Sequence, residues 1–263
     1  MERRGCWVVR KIVSGRMVER SKVWVPGTRR RKTGRVKGST TAERRDQNAR
    51  AAAKVLNRLL VCNFSARDIF LTLKYDDDHL PTDPEQVHRD GENFLRRLVR
   101  AMEKAGADKN AIRRVMVCAD KDPETQEGRR YHLHIVITGW EMSFRAAQWY
   151  CGEKALNEIW GRGSVYAEPM RQQEDYTALA VYLIRQAIGG ENRKKYYPSR
   201  NLRKPVVTET LAATGGELRV PKGANVREKR YDALQGVNYV RYILPEKRPG
   251  SRHPEEGGGP DGL

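Results

Sequence analysis

The stretch YHLHIVITG, residues 131–139, constrains this chain more than any other. If it is a β-strand, successive side chains point to opposite faces with a period of two. Leu133, Ile135 and Ile137 fill a core-facing side, and His132 and His134 share the other. Two imidazoles so placed stand about 7 Å apart along one strand face and can converge on a single divalent ion. The chain holds five histidines, the others being His79, His88 and His253, so two in this register are a concentrated signal. The plainer alternative is a pair of half-exposed histidines on the solvated face of a sheet.

Around that strand, helical and extended patterns alternate. Residues 6–25 read as a β-hairpin turning at Ser14-Gly15, with Trp7, Val9, Ile12, Val18, Val23 and Val25 inward. A helix is predicted from Thr40, where Thr40 and Glu43 make a capping box. Its apolar face is Ala52, Val55, Leu56, Leu59 and Leu60, and it should end before Asn63. A strand over 69–75 follows. A second helix starts at the Asp83-Pro84 cap, buries Phe94, Leu95, Leu98 and Met102, and closes at Gly106. Strands over 115–119 and 131–138, a helix over 143–160, a short strand over 164–167 and a helix over 174–188 complete the series. After Gly189-Gly190 the chain turns basic and irregular, with a last apolar alternation at Tyr239, Val240, Tyr242 and Ile243. This order predicts an α+β fold, a ferredoxin-like or RRM-like central antiparallel sheet with helices on one face.

Charge points to the partner. Among 263 residues, 51 are Lys or Arg against 33 Asp or Glu, a net charge of +18 that attracts polyanions, nucleic acid first among them. Residues 27–38 (GTRRRKTGRVKG) form a Gly-punctuated basic loop, either a solvated linker or an arm that tracks phosphates. Residues 193–204 bring together Arg193, Lys194, Lys195, Arg200, Arg203 and Lys204, interleaved with Tyr196 and Tyr197. Cations follow phosphates and rings stack on unpaired bases, so this set is the predicted DNA contact. Ser199 and Asn201 could instead cap local backbone. The four cysteines, Cys6, Cys62, Cys118 and Cys151, have neither CxxC pairing nor finger spacing and read as free thiols. No signal-peptide pattern and no apolar run long enough for a bilayer are visible, so a soluble, cytoplasmic protein without a membrane partner is expected.

A third metal ligand would be an oxygen donor. Asp120, at the end of the strand before the histidines, is the choice, with Asp122, Glu124 and Glu127 in the following loop as rivals. Downstream, in EDYTALAVYLIRQAI, helical projection puts Tyr176, Leu179, Ala180, Leu183, Ile184 and Ala187 on one buried stripe. Tyr182 projects away from it, beside Ala178, Arg185 and Gln186 on the more polar side. A phenol with an ordinary pKa near 10 attacks a phosphodiester only with help, from a metal on the phosphate and a cation near its oxygens. Arg185, one helical turn on, could be that cation.

His132-Leu133-His134 followed by Tyr182-x-x-Arg185 resembles the HUH endonucleases, and among them the single-tyrosine rolling-circle replication initiators of phages and plasmids. NFSARDIFLTLKYD, WGRGSVYAE and SRNLRKP (Ser199 to Pro205) fit the same comparison in order, over residues 40–245. Arg185 stands where the family commonly has Lys, and Asp120 where relatives usually have Glu. The resemblance implies Mg²⁺ or Mn²⁺ held by His132, His134 and an acidic side chain, with Tyr182 attacking single-stranded origin DNA to leave a 5′-phosphotyrosine and a free 3′-hydroxyl. No Walker-type loop is visible, so a host helicase and polymerase in a bacterial cell would be partners. The expected layout is a hairpin and basic loop over 1–38, a catalytic domain over 39–190, a basic DNA-contacting extension over 191–245 and a disordered tail over 246–263. The rivals are a related single-tyrosine transposase and a non-catalytic single-stranded nucleic-acid-binding domain.

Overall fold

The computed structural model describes residues 5–26, 41–120, 130–138, 153–171, 173–189, 193–232 and 236–246. The basic loop at 27–38, the loop acids Asp122, Glu124 and Glu127, the first part of the helix expected over 143–160, Cys151, and all but the first residue of the C-terminal tail therefore lie outside the described residues. Two compact units emerge, one from the chain ends (Met1–Thr28 and Val207–Leu263) and one from the middle (Arg29–Val206).

The middle unit carries a five-stranded sheet. Strands β3 (Ile69–Tyr75), β4 (Arg114–Ala119), β5 (His132–Ile137), β6 (Gly163–Pro169) and β7 (Tyr197–Pro198) lie in the order β6-β3-β5-β4-β7. Every pairing is antiparallel. Helix α2 (Pro84–Lys104) links β3 to β4, and α3 (Glu153–Trp160) precedes β6. β-α-β-β-α-β connectivity with this order is the ferredoxin-like arrangement, an α+β fold on a central antiparallel sheet.

Helix α2 follows its sequence signals closely. Asp83 accepts from the Gln86 amide at 2.8 Å, Pro84 opens the helix, and Phe94, Leu95, Leu98 and Met102 are all buried. With Leu156 and Trp160 of α3 they cover Leu71, Leu73, Met116, Leu133, Ile135 and Ile137 on one face of the sheet. Trp160 also donates from Nε1 to the Lys74 carbonyl at 2.9 Å, fixing the entry to β6. Gly163 there has φ +135°, and a Cβ would collide with the Lys74 carbonyl, so this position admits only glycine.

The expectation of helices on one face needs correction. Helices α1 (Ala42–Asn63) and α4 (Thr177–Gln186) pack against each other and over Val115, Val117 and Val136 on the opposite face. The reason is legible in β4, where Val115 to Ala119 are buried without alternation, as a strand covered on both sides requires. Details of α1 also differ. The cap is Thr41, accepting from the Arg44 amide, so no Glu stands three residues on to close a capping box. The helix includes Asn63, whose amide reaches the carbonyls of Leu59 and Arg203. Its buried stripe is Ala53, Leu56, Asn57 and Leu60, while Val55 is exposed.

The terminal unit is a second antiparallel sheet, β8-β1-β2-β10-β9, from β1 (Cys6–Ser14), β2 (Met17–Val25), β8 (Val206–Ala212), β9 (Asn225–Asp232) and β10 (Val237–Ile243). The hairpin turns at Gly15-Arg16, with Gly15 at φ 55°. Val9 and Val18 enter its core and Ile12 is buried. Val23 and Val25 are exposed because pairing of Val9 with Lys22 puts Lys22 on the core side. Lys22 instead buries its stem and donates to the carbonyls of Thr214 and Gly216. Among the described residues Cys6, Cys62 and Cys118 are joined in no disulfide, and no helix is long and apolar enough to cross a membrane.

Candidate active site

The two histidines lie where the alternation of β5 puts them, on the α1/α4 side of the sheet. Their rings sit 4.9 Å apart between centroids at 87°. Register sets their surroundings: His134 pairs with Thr72 of β3 and Val117 of β4, and His132 pairs with Lys74 and Ala119. His134 is 3% exposed, stacked on Phe70 at 5.3 Å between centroids, whereas His132 is half-buried.

A hydrogen bond fixes which nitrogen of His132 carries a proton. His132 Nδ1 lies 3.1 Å from the Arg130 carbonyl, which can only accept, so Nδ1 carries the proton and Nε2 the lone pair. His134 Nδ1 lies 3.2 Å from Thr72 Oγ1, and its Nε2 lies 3.4 Å from the Tyr182 hydroxyl. Both partners are hydroxyls and can donate or accept; the tautomer in which Nδ1 donates to Thr72 leaves the His134 lone pair on Nε2 as well, with the phenol donating to it. Burial, and then the neighbouring His132, push the His134 pKa down to about 3, so the ring is neutral at ordinary pH. Each imidazole has Nδ1 tied to a hydrogen-bond partner, and with the lone pairs on Nε2 the two rings suit a divalent ion.

Tyr182 arrives on α4, which α1 docks. The N-cap residue Tyr176 makes no side-chain cap hydrogen bond, while Asp175 Oδ1 accepts from the Thr177 amide at 2.9 Å. The buried Asn57 adds to this, accepting from the Tyr176 amide at 2.8 Å and donating to Thr177 Oγ1 at 3.1 Å. Tyr176 is buried in the helix–sheet core, as its stripe predicts. On the more polar side of the helix Tyr182 reaches His134, while Ala178 is exposed. Tyr182 is partly buried there, and Arg185, one turn on, is exposed.

Gln186, one turn beyond Tyr182, is fully buried, with neither its Oε1 nor its Nε2 hydrogen-bonded among the described residues. Each such orphan costs about 1–3 kcal/mol, so a native structure rarely keeps one without a reason. Sequence reasoning placed Gln186 on the more polar side of the helix, with no role of its own. The available signal was the i, i+4 spacing from Tyr182.

Asp120 follows β4, its amide donating to the Gln186 carbonyl at 3.2 Å and its Oδ1 buried without a partner among the described residues. Ala119 is the residue opposite His132, so continued alternation would direct Asp120 to the other face. Among the described residues no three His, Cys, Asp or Glu side chains converge as a metal site. The histidine pair thus fits a divalent ion, and no acid among the described residues completes it.

The basic segment divides. Lys194, Arg200, Arg203 and Lys204 are exposed. Arg193 pairs with Glu85, Lys195 donates to the carbonyls of Ala187 and Ile188, and Tyr196 packs beside the α1/α4 core. Ser199 and Asn201 bond backbone: Ser199 Oγ accepts from the Arg114 amide, and Asn201 donates to the Asn110 and Ile112 carbonyls. One cation missed in sequence, the exposed Lys74, shares the histidine face, its Nζ 5.0 Å from the Tyr166 ring centroid.

No curated protein and no solved structure matched the chain. Residues 68–186, from the entry to β3 through the last residue of α4 and so including both histidines and Tyr182, match the model of the replication-associated protein ORF2 family, and over that stretch the chain is similar to replication initiators.

Proposed function

We propose that this chain is a tyrosine nickase that opens and rejoins single-stranded DNA at a replication origin. The observation that carries it is the Tyr182 hydroxyl 3.4 Å from His134 Nε2, with His132 beside it on the same sheet face. A divalent ion such as Mg²⁺ or Mn²⁺ on the two Nε2 lone pairs would polarise the scissile phosphate and offset its charge. Everything else falls to the protein's own groups. Thr72 and the Arg130 carbonyl hold the imidazoles in the coordinating tautomer, and the Asn57 cap holds α4 in place.

Tyr182 Oη attacks phosphorus, forming a phenol–phosphate ester as the bond from phosphorus to the 3′-oxygen breaks. The phenolic proton ends on that oxygen, giving a free 3′-hydroxyl, and the reverse step rejoins the strand. His134 is a poor base for that proton, because burial holds its pKa far below that of a phenol. Its role is to coordinate. The exposed Arg185 would reach the phosphate oxygens, and the exposed Lys194, Arg200, Arg203 and Lys204 would follow the strand.

Labelled single-stranded origin DNA incubated with the protein and Mn²⁺ should yield a covalent adduct that Tyr182→Phe abolishes. An adduct that persists in Tyr182→Phe removes this tyrosine from the mechanism. A strand bound tightly with no adduct, whatever metal is added, favours a non-catalytic binding domain.

A further inference from the structure

Resting on the nickase reading above, we infer that Tyr166 and Lys74 form a subsite for the unpaired strand beside the scissile phosphate. The Tyr166 ring stacks on a nucleobase there, and the Lys74 ammonium meets a neighbouring phosphate. Strand register places the pair. Tyr166 of β6 lies opposite Thr72 of β3, which lies opposite His134 of β5, and the next row runs Ser164, Lys74, His132. Residues opposite one another in antiparallel strands share a face, so Tyr166 and Lys74 stand on the face that carries the histidines. Two strand spacings, about 10 Å, separate Tyr166 from His134 across the sheet, which keeps the stacked base within a few nucleotides of the reacting phosphate.

This edge of the face is open. Helices α1 and α4 cover Val115, Val117 and Val136 of β4 and β5. On β6 and β3 the residues turned the other way, Val165 and Leu73, are buried, while Tyr166 is 48% exposed and Lys74 is exposed. The two already touch, with Lys74 Nζ 5.0 Å from the ring centroid. Ring and cation answer the two halves of a nucleotide, a flat surface for any unpaired base and a positive charge for the phosphate next to it. An ammonium on an exposed ring is held more weakly than a stacked base, so the base takes the ring and Lys74 turns to the phosphate. The exposed Glu168, in the row on the far side of Tyr166 from Lys74, repels phosphate and confines the backbone to the His132 side. A duplex keeps its base faces stacked on one another, so the subsite selects unpaired DNA.

Binding of a labelled oligothymidylate to the full chain in EDTA, where no metal-dependent cutting takes place, reads this subsite by itself. Tyr166→Leu should weaken binding about 5- to 100-fold at an unchanged salt slope, and Tyr166→Phe, which keeps the ring, should stay within about twofold of wild type. Lys74→Gln should reduce the salt slope by about 0.7, the share of one phosphate on a single strand. A duplex of the same length should not distinguish Tyr166→Leu from wild type. With 5-iodouracil in place of thymine, irradiation of the wild-type complex should join the strand to Tyr166, as peptide mapping would locate. Wild-type affinity in Tyr166→Leu, an equal loss on the duplex, an unchanged slope in Lys74→Gln, or crosslinks formed only at other residues overturns the inference. Should a melting curve show Tyr166→Leu misfolded, the wild-type crosslink decides alone. None of these readouts needs the metal or Tyr182, so their failure leaves the nickase reading standing. A missing covalent adduct with Mn²⁺, beside an intact Tyr166 crosslink, removes the nicking step and keeps the stacking ring.

Discussion

Replacing Thr72 by valine tests the tautomer logic on which the site depends. The shape of the side chain is nearly kept, and the acceptor for the His134 Nδ1 proton at 3.2 Å is lost. His134 is 3% exposed, so water cannot stand in easily. Leaving a buried donor unpaired costs about 1–3 kcal/mol. The ring has a partial escape, moving its proton to Nε2 and donating to the Tyr182 oxygen at 3.4 Å. That holds the stability loss near the lower limit, about 1 kcal/mol, or a fall in Tm of about 2–4 °C for a unit of this size. The escape puts the lone pair on Nδ1, facing the new valine, where no ion can reach it. Mn²⁺ affinity should therefore fall about 10- to 100-fold, the range for losing a partner that orients a ligand. Denaturant titration and Mn²⁺ calorimetry on the same preparations should give a small loss and a large one, and Thr72→Ser should restore both. A valine variant that binds Mn²⁺ as tightly as wild type refutes the tautomer assignment.

Three further expectations rest on neighbouring groups. Asn57→Ala leaves the Tyr176 amide of the α4 start unpaired and should lower stability by about 1–3 kcal/mol, with slower adduct formation as the tyrosine helix loosens; a variant unchanged in both means that α4 is held by its apolar stripe alone. The His134 pKa is depressed from 6.5 to about 3, so the unfolded chain binds the extra proton between those values. Its contribution to stability is complete above pH 6.5 and lost as pH falls toward 3, with a slope of up to about 1.4 kcal/mol per pH unit, and denaturant midpoints of His134→Gln should lack that component. Truncating Lys194, Arg200, Arg203 and Lys204 together to alanine should reduce the salt slope of single-stranded DNA binding by about 0.7 for each phosphate no longer neutralised, and an unchanged slope places the strand elsewhere.

The legible parts of the chain were those where one physical demand dominated the pattern. Strand β5 announces both its faces because Leu133, Ile135 and Ile137 must be dry while the histidines need polar company. Helix α2 carries a cap, a proline start and one apolar stripe that agree with one another. Strands β8 and β9 left no such trace, since they edge the terminal sheet and nearly all their residues are exposed, so no alternation was imposed on them. Helix α1 misled because its buried line runs through Asn57, a polar residue kept inside to cap another helix, while Val55 faces out. The same effect hid Gln186: a polar residue beside Arg185 on an amphipathic helix reads as solvent-facing, and here it is fully buried. Helices on both faces were foreshadowed by the unbroken apolar run of β4, which the more vivid alternation of β5 overshadowed.

Mapping the DNA-linked peptide by tandem mass spectrometry, after Mn²⁺-dependent reaction with single-stranded origin DNA and digestion of both protein and strand, reads the nucleophile itself. A 5′-nucleotide esterified to Tyr182 is the predicted result. A nucleotide carried by Tyr166, Tyr176 or Tyr196, or peptides that carry none while the strand is still cut, would contradict it.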